Sequence, residues 1–112
     1  MIETETENSN LQAVMGLILN GGNAKSSAFE AINAAKTGDF TTADAKLAEA
    51  DKFLVDAHNA QTGMLTAEAN GEHANVSLLM VHSQDHIMTA ITFRDLAGEI
   101  VDLYKRLAQV GK

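Results

Sequence analysis

The sequence predicts an all-α protein, a three-helix antiparallel bundle, on three observations. There is no proline in its 112 residues, so nothing forces a helix to break. Hydrophobic residues make up 46% of the chain but aromatics only 4%. The apolar mass is therefore mostly aliphatic, and Ala, Leu, Met, Gln, Glu and Lys are the better helix formers. Two polar turn signals, Thr37-Gly38-Asp39 and Asn70-Gly71, divide the chain into three stretches whose apolar residues recur at spacings of three and four. Connections this short make consecutive helices antiparallel neighbours. The length suits one small domain, taken as residues 9–112, and a domain of this size gains from oligomerisation.

Residues 1–8 read as a flexible acidic tail, too polar to offset the entropy of ordering. Ser9, with Gln12 three residues on, is a capping box for the first helix. Leu11, Val14, Met15, Ile18, Gly22, Lys25, Phe29 and Ile32 continue the helical period. Asn20-Gly21-Gly22-Asn23 is locally a turn signal, and two glycines cost a helix interior roughly 2 kcal/mol against alanines. The apolar phase nevertheless runs through unshifted. One helix over about residues 11–36 is expected, with the glycines admitting a close backbone approach. A break at Gly21-Gly22 is the alternative.

Gly38 suits the left-handed position that ends a helix. Thr41 with Asp44 is a weak acidic capping box for the second helix, which is expected to run to about residue 68. Ala43, Leu47, Ala50, Leu54, Ala57, Gln61, Met64 and Leu65 form its apolar stripe, with Phe53 widening it; Asp44, Lys46, Glu49, Asp51, Lys52 and Asp56 are read as a solvated face. After a polar loop around Asn70-Gly71, Asn75 is expected to cap a third helix over residues 76–109. Its C-terminal half carries the seam Leu96, Ile100, Leu103, Leu107. Its N-terminal half, with Leu78, Leu79, Met80, Val81, Ile87, Met88, Ala90, Ile91 and Phe93, is apolar around nearly the whole circumference. A helix of that kind is buried on all sides. Two neighbouring helices cannot enclose it, whereas other subunits can.

Several functions are excluded early. A net charge of −7 repels phosphate backbones and anionic lipid, so neither nucleic-acid binding nor basic membrane anchoring is expected. With no cysteine, disulfides, thiolate catalysis and Cys-ligated metals fall away. The acidic start lacks the character of a signal peptide, and no apolar run reaches the roughly 18 residues of a membrane span. A cytoplasmic location without membrane insertion is expected.

The chemistry is concentrated in Val81-His82-Ser83-Gln84-Asp85-His86-Ile87-Met88. On a helix, His82 and His86 share a face with Asp85 beside them. Their spacing equals that of H-E-x-x-H, but Ser83 stands where that zinc motif needs its general base. A non-catalytic zinc site of His82, His86 and an acid is a further reading. A two-component histidine-phosphotransfer domain would have lysine and glycine where Asp85 and His86 stand. A non-catalytic helical adaptor or metal-binding helical bundle, with these histidines as ordinary core residues, is the competing class. Gly38-Asp39-Phe40 followed by Ala43 resembles a tetratricopeptide junction, but such folds need at least three repeats. His73 is read as solvated, His58 as a packing or supporting residue, and Tyr104 as packing.

The chain resembles the enzyme IIA component of the lactose/cellobiose (diacetylchitobiose) family of the bacterial phosphoenolpyruvate-dependent sugar phosphotransferase system. The likeness lies in Val14-Met15-Gly16-Leu17-Ile18, Gly38-Asp39-Phe40, Ala57-His58 with Gln61-Thr62, and above all Val76-Ser77-Leu78, Val81-His82, Gln84-Asp85-His86 and Met88-Thr89. It covers about residues 11–107. Ser83 replaces the small alanine of many relatives, and Gly21-Gly22 is richer in glycine than the family pattern; neither removes a reactive group.

The resemblance implies that His82 is the phosphorylated nucleophile. It would take a phosphoryl group from the phosphocarrier protein HPr and pass it to a cysteine of enzyme IIB, in the service of disaccharide uptake. It also implies a homotrimer of nine helices, with Asp85 near the threefold axis, where three copies share a metal, Mg2+. Histidine suits the transfer because it is neutral near pH 7 and its phosphorylated form is labile. His86 and Gln84 are candidates for polar support around His82. Apolar surroundings would slow hydrolysis and offer a docking face, with Met80 and Met88 as adaptable contacts. Three ionised carboxylates at one axis need a cation or shared protons, and magnesium takes oxygen ligands and water. Enzyme IIA does not touch the sugar, so lactose, cellobiose and N,N′-diacetylchitobiose all stay open.

Overall fold

The computed structural model describes residues 5–111, which form three long helices: α1 (Glu5–Lys36), α2 (Phe40–Ala69) and α3 (Leu78–Val110). There is no strand among the described residues. α1 is continuous through Gly21-Gly22, which removes the alternative of a break. It also begins at Glu5 rather than at the expected cap Ser9. Extending an existing helix costs far less than nucleating one, and residues 5–10 contain no breaker. Of the expected tail, residues 1–4 lie outside the described residues, and the rest belongs to α1.

Both turns close in the same way. Gly38 has φ +81°. The amide of Asp39 donates to the Ala34 carbonyl at 3.0 Å and that of Gly38 to Ala35 at 3.0 Å, the paired bonds of a Schellman motif. Gly71, at φ +87°, repeats it: Glu72 donates to Ala67 at 2.9 Å and Gly71 to Glu68 at 3.1 Å. The caps that open α2 and α3 differ from those expected. Asp39, not Thr41, caps α2, accepting from the Thr42 amide at 3.1 Å and the Thr42 hydroxyl at 2.7 Å. Aspartate is the stronger N-cap, and the turn delivers it directly to the helix start. Ser77, not Asn75, caps α3; its hydroxyl accepts from the Met80 amide at 3.1 Å.

Three buried clusters set the register. Leu17 meets Ala57 and Ile87; Ala24, Ala28 and Ile32 meet Ala50 and Ala97; Ala31 and Ala35 meet Ala43 and Val101. Numbers rise together along α1 and α3 while they fall along α2. The bundle is therefore up-down-up, with α2 antiparallel to both neighbours. Its core is mostly alanine, which lets the helices approach closely. Each methyl-sized group buried contributes only about 0.8 kcal/mol, so the intrachain core is thin.

The larger apolar residues lie elsewhere. Of the expected inward seam of α3, Ile100 packs against the core, whereas Leu96, Leu103 and Leu107 are all more than half exposed, and Ala97 and Val101 lie buried in their place. Leu11, Met15 and Phe29 of α1 are likewise exposed, as is Leu65 of α2. The helical period was visible in the sequence, but it does not say which of two apolar faces packs within the chain. The charged face of α2 is also more than solvated. Arg94 holds Asp51 through two bonds of 2.6 and 3.0 Å, Lys105 holds Asp44 at 2.8 and 3.0 Å, and Lys46 bridges Glu30 at 2.7 Å and Glu49 at 3.1 Å. These pairs tie α2 to α1 and α3. Partly exposed as they are, they fix rotation more than they add stability. Tyr104 packs against the cluster containing Val101, as expected.

Candidate functional site

The site lies on the first three turns of α3, where that helix runs beside α1. Ser83 and Ile87 face the interior and are fully buried. The Ser83 hydroxyl donates to the Met80 carbonyl at 2.7 Å, so its burial leaves no polar group unsatisfied. With those two positions inward, the helical period turns His82 and Asp85 to the surface. His86 falls between them and the core, half-buried against α1.

His82 and His86 do come together. Their ring centroids are 5.6 Å apart with 26° between the planes. His86 occupies a space that only glycine leaves open. A Cβ on Gly21 would stand 2.9 Å from His86 Cδ2, and one on Gly22 would stand 3.5 Å from His86 Nε2. The expected close approach at the glycine pair is thus the approach of an imidazole ring. Burial pushes His86 below the ordinary histidine range, and the Lys25 ammonium and the His82 ring act in the same direction. The backbone of Ile18 and the Asp85 carboxylate oppose them. His86 is accordingly biased towards its neutral form.

Gln84, expected as polar support for His82, is engaged within the chain by α2. Its Oε1 accepts from Gln61 Nε2 at 2.8 Å, and its Nε2 points at the sulfurs of Met64 (3.4 Å) and Met80 (3.7 Å). Its amide is spent on packing α3 to α2. Met80 is turned the same way, whereas Met88 is exposed. His58 is exposed rather than packed, and His73 is exposed, with its Nδ1 against Glu68. Among the described residues no three His, Asp or Glu side chains converge as a metal site within the chain, so the zinc reading of His82, His86 and an acid finds no third ligand there. Asp85 supplies one carboxylate per chain, on the outer face of α3.

Gly21, Ile18 and Lys25 surround His86, and sequence reasoning did not assign them to the site. The unbroken apolar phase across two glycines was the available signal. It marked a close approach without naming what approaches. An open apolar groove of about 780 Å³ continues from the site along α1 and α3, lined by Lys25, Phe29, Met88, Thr89, Phe93 and Leu96 among others. Phe29 and Phe93 stack in it at 6.1 Å.

Residues 12–105 match the model of the family described as PTS system, lactose/cellobiose specific IIA subunit. The chain belongs to that family. It is thus a phosphotransferase component of a sugar phosphotransferase system, not an unrelated adaptor. The cellobiose-specific EIIA component of Lactococcus lactis is 50% identical over 105 residues, covering 94% of this chain and 90% of that protein. The cellobiose-specific enzyme IIA of Bacillus anthracis has the same fold, with a TM-score of 0.87 and 42% identity over 96% of this chain and 95% of that one. The IIA(Chitobiose) chain solved in complex with HPr from Escherichia coli aligns with a TM-score of 0.75 and 39% identity, over 87% of this chain and 94% of that one. No helix among the described residues is long and apolar enough to cross a membrane.

Proposed function

We propose that this chain is a cytoplasmic phosphocarrier whose nucleophile is His82, loaded by HPr and unloaded by enzyme IIB. The observation that carries the reading is the setting of His82: an exposed imidazole on an apolar surface, stacked on a second, half-buried imidazole. The unprotonated ring nitrogen of His82 attacks the phosphorus of phosphorylated HPr. A new N–P bond forms as the N–P bond to the HPr histidine breaks, and the other His82 nitrogen keeps its proton. In the second transfer a thiolate of enzyme IIB attacks the same phosphorus, an S–P bond replaces the N–P bond, and His82 is regenerated. The E. coli relative solved with HPr supports the donor. The sugar is not chosen by these residues; similar relatives carry cellobiose and diacetylchitobiose in their names.

The chain works as a homotrimer of nine helices. The support is the outward face of α3, where Leu78 is 86% exposed and Val81, Met88, Leu96 and Leu103 are each more than half exposed. An exposed face carrying this many large apolar side chains, though Asp85, Thr92 and Glu99 interrupt it, is a protein interface rather than a water-facing surface. Asp85 is the acid on that face beside the histidines, and self-association would bring its copies together. Carboxylate oxygens fit a hard divalent ion such as Mg2+, which would neutralise their mutual repulsion and serve assembly rather than transfer.

The test is incubation with phosphoenolpyruvate, enzyme I and HPr, followed by assay for acid-labile phosphate. Stoichiometric label on the wild type and none on His82→Ala is expected. An unlabelled wild type would sink the reading; label persisting in His82→Ala would move the site, with His86 the next candidate.

A further inference from the structure

We propose that Gly21 is a seat kept free of any side chain so that His86 can act as a positioning residue, fixing the ring of His82 for phosphoryl transfer. This rests on the phosphocarrier reading and adds to it a device on α1. The glycine does not serve helix formation, since alanine would be the better helix former at that position. It does not serve a turn either, because α1 passes straight through it. What it provides is room. A Cβ there would stand 2.9 Å from His86 Cδ2, 3.5 Å from the His86 carbonyl oxygen and 3.6 Å from His86 Nε2. The nearest of these atoms belongs to the ring, so the ring is what would move.

The seat matters because of what lies on the other side of His86. One face of its ring is given to His82, at 5.6 Å and 26°. The ring is therefore held between the α1 backbone and the proposed nucleophile, and displacing it from Gly21 drives it into His82. An exposed histidine on a free helix face would sample its rotamers. One flanked by a seated ring loses part of that freedom before the donor arrives, and reacting groups held in place make transfer faster. Gly22 provides an internal contrast. The Cβ it would carry lies 3.5 Å from His86 Nε2, an ordinary contact, so the same chemical change one residue along leaves the ring where it is.

The experiment compares wild type, Gly21→Ala, Gly22→Ala, His86→Ala and the Gly21→Ala/His86→Ala double variant. Two quantities are read: the ring ¹⁵N signals of His82 at one fixed pH without phosphate, and the rate of phosphoryl uptake from phosphorylated HPr. Gly21→Ala and His86→Ala are each expected to shift the His82 ring signals and to slow uptake on the order of 10-fold to 100-fold. Gly22→Ala should match wild type in both. In the double variant the added methyl meets no ring, so it should be no slower than His86→Ala alone. Wild-type ring signals and rate in a helical Gly21→Ala would overturn the proposal. So would a Gly21→Ala effect of equal size with and without His86. A wild type that takes up no label overturns the phosphocarrier reading itself, a result the phosphate-free ring signals keep separate from the coupling of Gly21 to His82.

Discussion

Gln61 Nε2 donates to Gln84 Oε1 at 2.8 Å, joining α2 to α3 one residue away from Asp85. Gln61 is buried and Gln84 partly so, so water replaces the bond only in part. Removing Gln61 leaves the partly buried Gln84 amide without its partner, which costs about 1 kcal/mol, the low end of the range for a buried neutral group. Gln61→Ala is therefore expected to lower the urea midpoint by a corresponding amount at fixed protein concentration. Its phosphoryl uptake should stay at the wild-type level, because the Gln84 amide faces α2 and not His82. Loss of uptake comparable to that of His82→Ala would put Gln84 back in the site.

The bundle, its two turns and the pairing of His82 with His86 were legible in the sequence. The reasons are local: Gly38 and Gly71 mark helix ends by backbone chemistry, and residues four apart on a helix must share a face. What was not legible depended on contacts across the chain. The Leu96, Leu103 and Leu107 seam has the same period as a core face, and only the positions of Ala97 and Val101 show that it points outward. Asp39 and Thr41 both fit a helix start; the Schellman turn at Gly38 decides between them. Where the Gln84 amide finds its partner was not legible either, because proximity along the chain to His82 says nothing of that.

Glycines in this chain should respond to alanine with opposite signs. Gly38 sits at φ +81°, where a Cβ costs about 1–2 kcal/mol. Gly63 lies in α2 with nothing within 4 Å of its would-be Cβ, and alanine there should gain up to about 1 kcal/mol of helix propensity. Thermal denaturation of Gly38→Ala and Gly63→Ala checks this. A stabilised Gly38→Ala would contradict the left-handed turn.

Acid should weaken the fold through His86. Its folded-state pKa lies below the ordinary histidine value, chiefly through burial. The unfolded chain then binds the proton first as pH falls, so stability rises with pH across this range. At and above neutrality the ring is neutral in both states and there is no penalty. The penalty appears as pH falls through about 6.5 and grows until the folded-state value is reached. Denaturation midpoints between pH 7.5 and 5.5 should fall more steeply for wild type than for His86→Gln. Equal slopes would mean that the ring is not held neutral.

Substituting Asp85 tests the proposed assembly apart from transfer. In the proposed trimer it is the acid that joins its copies on a largely apolar face of α3, exposed in the single chain. Repulsion among three carboxylates opposes association unless a cation or a shared proton relieves it. Asp85→Leu removes the repulsion and extends the apolar face. The variant is expected to stay trimeric, to resist dissociation by chelator or dilution at least as well as wild type, and to bind no Mg2+. His82 retains its ring and its neighbour His86, so phosphoryl uptake from HPr should persist. Sedimentation velocity in the presence and absence of EDTA distinguishes the cases. Monomers for Asp85→Leu would show that the carboxylate holds the assembly together by some contact other than a shared ion, and the axial placement of Asp85 would have to be abandoned.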